Sequence, residues 1–120
     1  MPSRTRRPPS TKTIRKRRAI QLFFAAGKPF HDSALLLLVL PRETAIEGDV
    51  FFATPRKIGN AVVRNRVRRR MREVFRRWIW RPDDPFIYGW IARRQAALLD
   101  FWRLKEKMTR LSARAHGKGN

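Results

Sequence analysis

The chain contains no cysteine, few acids, and no apolar run approaching the length of a membrane span. The missing cysteines exclude a disulfide framework and every thiolate metal site, and they leave the compartment unspecified. A bilayer crossing needs ~20 consecutive apolar residues. The longest run here, Ala34 to Leu40, suits a buried strand instead. The N-terminus is basic with no apolar signal region after it, so an intracellular, cytoplasmic protein with no membrane partner is expected. A basic, acid-free start can also imitate an organelle transit peptide. Nine acids stand against 29 Lys and Arg in 120 residues, a net charge of +20. That excess repels itself in a folded chain, and a polyanion relieves it. Nucleic acid, bound by phosphate neutralisation and counterion release, is the leading partner class. The 42% apolar content argues against wholesale disorder. The length favours one domain, 13–115, between a basic tail at 1–12 and a short tail at 116–120.

Catalytic residues are scarce as well. His31 and His116 fall at loop or tail positions without metal-ligand spacing. Asp83 and Asp84 could bind a divalent ion, but a turn between Pro82 and Pro85 accounts for them equally. No carboxylate cluster suggests two-metal hydrolysis, and no Gly-rich phosphate loop or Ser/His/Asp set is visible. The residues describe a binder, with no protein-bound metal or cofactor.

Hydrophobic periodicity gives an α+β order of helix, strands, helix, strand, helix. Thr13 to Gly27 reads as a first helix that Pro29 keeps from continuing. Ser33–Leu40 reads as a strand covered on both faces, Asp49–Thr54 as another ending at Pro55, and Phe86–Ala92 as a third. A final helix is expected over Leu98–Ala113, with Leu98, Phe101, Trp102, Lys105, Met108 and Leu111 on its amphipathic face.

The densest signal is Arg56–Arg81, with eleven Arg or Lys and a single acid, Glu73. Asn60 is a suitable N-cap, and the helix is expected to run to about Trp80. Val63, Val67, Met71, Val74 and Trp78 form one apolar stripe, with Arg66, Arg69, Arg70, Arg72, Arg76 and Arg77 on the other side and Arg64 at its edge. A solvated helix face normally mixes signs to gain i,i+4 pairs, which this one does not. Ten of the eleven cations are Arg, suited to planar bidentate contact with phosphate. Asn65 can both donate and accept at a ribose or base edge. Aromatic residues on strands, Phe51, Phe52, Tyr88 and Trp90, serve either as core or as a stacking platform for unpaired bases. Alternation puts Phe86, Tyr88 and Trp90 on one face of their strand.

The run Lys57-Ile58-Gly59-Asn60-Ala61-Val62-Val63-Arg64-Asn65-Arg66-Val67-Arg68-Arg69, followed by Arg72-Glu73, closely resembles the signature of the bacterial ribonuclease P protein subunit. The resemblance implies a two-layer α/β sandwich of order α-β-β-β-α-β-α (ribosomal protein S5 domain 2-like). It implies a left-handed crossover around the signature helix, against the usual handedness, and a short first strand near Lys28–His31. It further implies a partner RNA that carries the active site and its Mg²⁺, and a holoenzyme that removes the 5′ leader of precursor tRNA. No obligate protein partner is implied. Carried over by position, Arg56, Lys57, Asn60, Arg64, Asn65, Arg66, Arg68, Arg69 and Arg72 are the expected RNA-binding residues. Arg17, Ile20 and Phe24 are expected to line a leader cleft between the first helix and the sheet. Ile20, Leu38 and Pro55 depart from residues frequent in the family and reduce stacking capacity there. The rival reading is a structural rRNA-binding ribosomal protein. DNA binding is weaker, since the apolar stripe must pack within its own domain and no helix-turn-helix partner precedes it.

Overall fold

The computed structural model describes residues 11–117; residues 1–10 and 118–120, which hold most of the two expected tails, lie outside it. The elements are α1 (Arg17–Ala26), β1 (Lys28–His31), β2 (Leu35–Pro41), β3 (Val50–Ala53), α2 (Ala61–Val74), β4 (Phe86–Ala92) and α3 (Phe101–Ala115). The sheet order is β1-β2-β4-β3. Both β1 and β4 pair antiparallel with β2, while β3 lies parallel to β4 at the sheet edge. The crossover between those parallel strands carries α2, so the chain has the expected α-β-β-β-α-β-α order.

Each face of the sheet buries its own cluster. Leu35, Leu37, Val39, Val50, Tyr88 and Trp90 pack against Val67, Met71, Val74 and Phe75 of the α2 segment and Leu104, Met108 and Leu111 of α3. On the opposite face, Leu38, Leu40, Phe51, Ile87 and Ile91 pack against Ile14 and against Phe23 of α1. The sandwich of sheet with α2 and α3 therefore carries one helix on its outer side. Tyr88 and Trp90 are 1% and 0% exposed, which makes the Phe86–Tyr88–Trp90 face core and not a platform.

Two helix boundaries differ from the sequence reading. The first helix starts at Arg17, because Thr13 bridges Val50 and the Ile14 N–H donates to the Val50 carbonyl at 2.7 Å. The segment before α1 thus extends the edge of β3, and Ile14 fills the core beneath it. Lys12, expected in the tail, also pairs here: its N–H donates to an Asp49 carboxylate oxygen at 2.8 Å. The last helix starts at Phe101, capped by Asp100, after a 3₁₀ turn over Arg94–Leu98. Its buried face is Leu104, Met108 and Leu111, whereas Leu98 and Trp102, expected on that face, are 84% and 62% exposed. Met108 and Leu111 of the expected face are buried and Leu104 joins them, while Leu98 falls in the 3₁₀ turn before the helix.

Candidate nucleic-acid interface

The interface begins where β3 ends. Pro55 stops the strand, a 3₁₀ turn over Arg56–Ile58 exposes Arg56 and Lys57 and buries Ile58, and Gly59 then takes φ +152°. A Cβ at Gly59 would lie 2.9 Å from the Val63 side chain, so position 59 needs glycine for both space and conformation. Asn60 caps α2, its side-chain oxygen accepting from the Val63 N–H at 3.0 Å. After Val74 the helix continues as a π-helical turn over Phe75–Ile79, so the whole helical segment reaches the expected end near Trp80.

At 100° per residue the cations of α2 divide into two flanks around the buried stripe. Arg64, Arg68 and Arg72 lie on the flank over β3. Arg64 donates to the Gly59 carbonyl at 2.9 Å. Arg68 donates to Asn65 Oδ1 at 2.9 Å and, more tightly, to the Thr54 hydroxyl at the end of β3. Arg72 sits over the Phe52 ring, 5.9 Å from its centroid. Arg66 and Arg70 occupy the other flank, where Arg70 donates to the Leu99 carbonyl at 3.1 Å before α3. Arg66 buries its Nε without a partner among the described residues. Arg69 and Arg76 point outward between the flanks and are exposed. Of the eleven cations from Arg56 to Arg81, only Arg76 and Arg77 reach a carboxylate among the described residues, both at Glu73, at 2.9 and 3.4 Å. The rest of the array pairs with no acid among the described residues.

The expected cleft residues lie on the far face of the sheet. Arg17, Ile20 and Phe24 share one side of α1 by helical period. Ile20 is half-buried against the second cluster, whereas Phe24 is 58% exposed. Phe24 stands 6.4 Å from Phe51, which Phe23 also meets edge-on at 5.1 Å. Edge strand β3 therefore joins the two sites: Phe51 supports α1, Phe52 lies under Arg72, and Thr54 holds Arg68. Sequence reasoning missed Phe52 and Thr54 in this role. The alternation of Phe51 and Phe52 across an edge strand was the available signal.

His116 is more than a surface residue. Its Nδ1 donates to the Ser112 carbonyl at 2.8 Å, and its Nε2 lies 3.2 Å from both Asp84 and the Tyr88 hydroxyl. Asp84, in the turn before β4, is 5% exposed and also accepts the Phe86 N–H at 3.0 Å. This cluster ties α3 to β4. Among the described residues no group of three His, Cys, Asp or Glu is gathered as a metal site, and no helix is long and apolar enough to cross a membrane.

Residues 9–116 match the family model described as Ribonuclease P. A ribonuclease P protein component from Symbiobacterium thermophilum is 37% identical over 103 residues, covering 85% of this chain and 89% of the relative. One from Listeria innocua is 33% identical, covering 79% of this chain and 80% of the relative. Among solved structures, the RNase P protein from Thermotoga maritima superposes with a TM-score of 0.73 at 28% identity, covering 86% of this chain and 96% of that one. The Staphylococcus aureus RNase P protein superposes at 0.75 and 19% identity, covering 88% and 96%, a likeness of fold.

Proposed function

This chain belongs to the ribonuclease P protein family, and on that premise we propose that it is the protein cofactor of a ribonucleoprotein endoribonuclease, assisting removal of the 5′ leader from precursor tRNA. The observation that carries this reading is the junction at β3, which links the uncompensated Arg flank to the α1 face bearing Phe24. Arg64, Arg68 and Arg72, with Arg56, Lys57, Asn65, Arg66 and Arg69, neutralise phosphates of the catalytic RNA. The exposed N–H groups at the Asn60 helix start add an anion site. Across β3, Phe24 offers a ring face to an unpaired leader base, Ile20 floors the cleft, and Arg17 holds a leader phosphate.

In this reading the chemistry belongs to the RNA, whose bound Mg²⁺ would supply activation of the hydrolytic water. The polypeptide contributes affinity and positioning: holding the leader on one side of β3 and the catalytic RNA on the other fixes the scissile phosphate between them. The complex acts in the bacterial cytoplasm, with the RNA and precursor tRNA as partners.

The test is precursor-tRNA cleavage with the RNA subunit from the same source at low Mg²⁺. The triple variant of Arg64, Asn65 and Arg66 to Ala is expected to lower cleavage at least tenfold while retaining native circular dichroism. The polypeptide alone is expected to cut nothing. Undiminished cleavage by the folded triple variant, or cleavage by RNA-free protein, would remove this reading.

A further inference from the structure

Three aromatic rings gather beside the α2 flank that faces away from β3. Trp78, in the π-helical turn, meets Phe101 and Trp102 of α3 at centroid separations of 5.9 Å each. Trp102 is 62% exposed. Its contacts with Trp78 and Phe101 are edge-type, with interplanar angles of 64° and 89°, so neither ring lies parallel on its face. The surroundings are cationic: Arg77 and Lys105 lie 4.6 and 4.9 Å from the Trp78 ring centre. Of the nearby acids, two are engaged elsewhere and the third is shared between Arg76 and Arg77. Asp100 caps α3, Glu106 pairs with Arg110, and Glu73 pairs with Arg76 and Arg77. Among the described residues no carboxylate pairs with Arg66, Arg70 or Lys105.

An exposed indole within a cationic rim suits few occupants. A second copy docked about a twofold axis would set Arg77 and Lys105 against their own equivalents. An unpaired nucleotide instead supplies a π-face for the indole and a phosphate for the cations. We propose that Trp102, with Arg77 and Lys105, forms a second RNA contact at which an unpaired base of the partner RNA stacks. This contact rests on the RNA-cofactor reading but uses a different surface, since Arg77 and α3 lie on the side opposite Arg64, Arg68 and Arg72.

The full chain is titrated with a short oligouridylate and with an abasic oligomer of equal length, following tryptophan fluorescence. Oligouridylate is expected to quench more strongly than the abasic strand. Trp102→Ala should abolish that difference and weaken oligouridylate binding roughly fivefold or more, from the usual contribution of a stacked base. Trp102→Leu, which keeps apolar bulk without the ring face, should behave like the Ala variant, and Trp102→Phe should retain most of the affinity. The combined Arg64, Arg68 and Arg72 to Ala variant should lose affinity for both oligomers yet keep base-dependent quenching at saturation. Base-dependent binding unchanged in both Trp102→Ala and Trp102→Leu would overturn the second contact alone and leave the cofactor reading intact. A dimer that Trp102→Ala dissolves in sedimentation would overturn it in favour of a second copy. Failure of the parent chain to bind either oligomer would overturn the second contact, while the cofactor reading stands or falls on the precursor-tRNA cleavage test.

Discussion

Gly89 shows how one missing side chain shapes the α1 face. A Cβ built there would lie 2.4 and 2.5 Å from two atoms of the Phe51 ring. Phe51, 4% exposed, therefore sinks against the backbone of β4, and Phe23 and Phe24 ride on it from α1. Gly89→Ala must push this ring outward into a packed cluster, and overpacking of that kind typically costs ~1–3 kcal/mol. Urea unfolding is expected to move to a lower midpoint with an unchanged slope. An unaltered midpoint would mean that Phe51 shifts freely and that the seat of Phe24 is not built by Gly89.

Between elements, the closure of α3 onto β4 depends on Tyr88, the only tyrosine in the chain. Burial, reinforced by the hydrogen bond and negative charge of Asp84, pushes its phenol far above the ordinary value of ~10. The unfolded chain ionises this phenol near ~10 while the fold keeps it neutral, so its stabilising contribution is complete below that pH and is lost as pH rises above it. An alkaline titration should show no tyrosinate absorbance until the domain unfolds, both signals then changing together. Tyrosinate appearing near pH ~10 with circular dichroism intact would contradict the buried pair. The sequence made such long-range ties hard to read. Phe86–Ala92 was legible because Pro85 bounds a run rich in aromatic and β-branched residues, and α2 because Asn60 and the apolar stripe agree on one helix. Strand β1 has little propensity of its own and exists through its pairing with β2. The residues before Arg17 look helical but give their hydrogen bonds to β3, and Leu98 falls in a turn before the Asp100 cap of α3, which a periodic pattern alone does not place.

Across the whole molecule, the net charge of +20 is spread unevenly, and the fold decides which cations remain available. The ordered run from Lys57 to Glu73 was legible as a capped helix dense in cations. Its division into two flanks was not, because Thr54, Phe52 and the Leu99 carbonyl are brought to it by tertiary structure. That division makes the salt dependence of RNA binding specific to position. Each phosphate neutralised contributes ~0.7–0.9 to the log–log slope of affinity against salt, depending on strandedness. Replacing Arg64, Arg68 and Arg72 together with Gln should flatten that slope by ~2–3, as three lost phosphate contacts require. Replacing Arg76 and Arg77 should flatten it less, because Glu73 already offsets part of their charge. Filter binding of the ribonuclease P RNA across a potassium chloride series measures both. Equal changes for the two sets would mean that the RNA senses only total charge; a larger change for the β3 flank would mean that it docks along the edge where the Arg array and the α1 face meet.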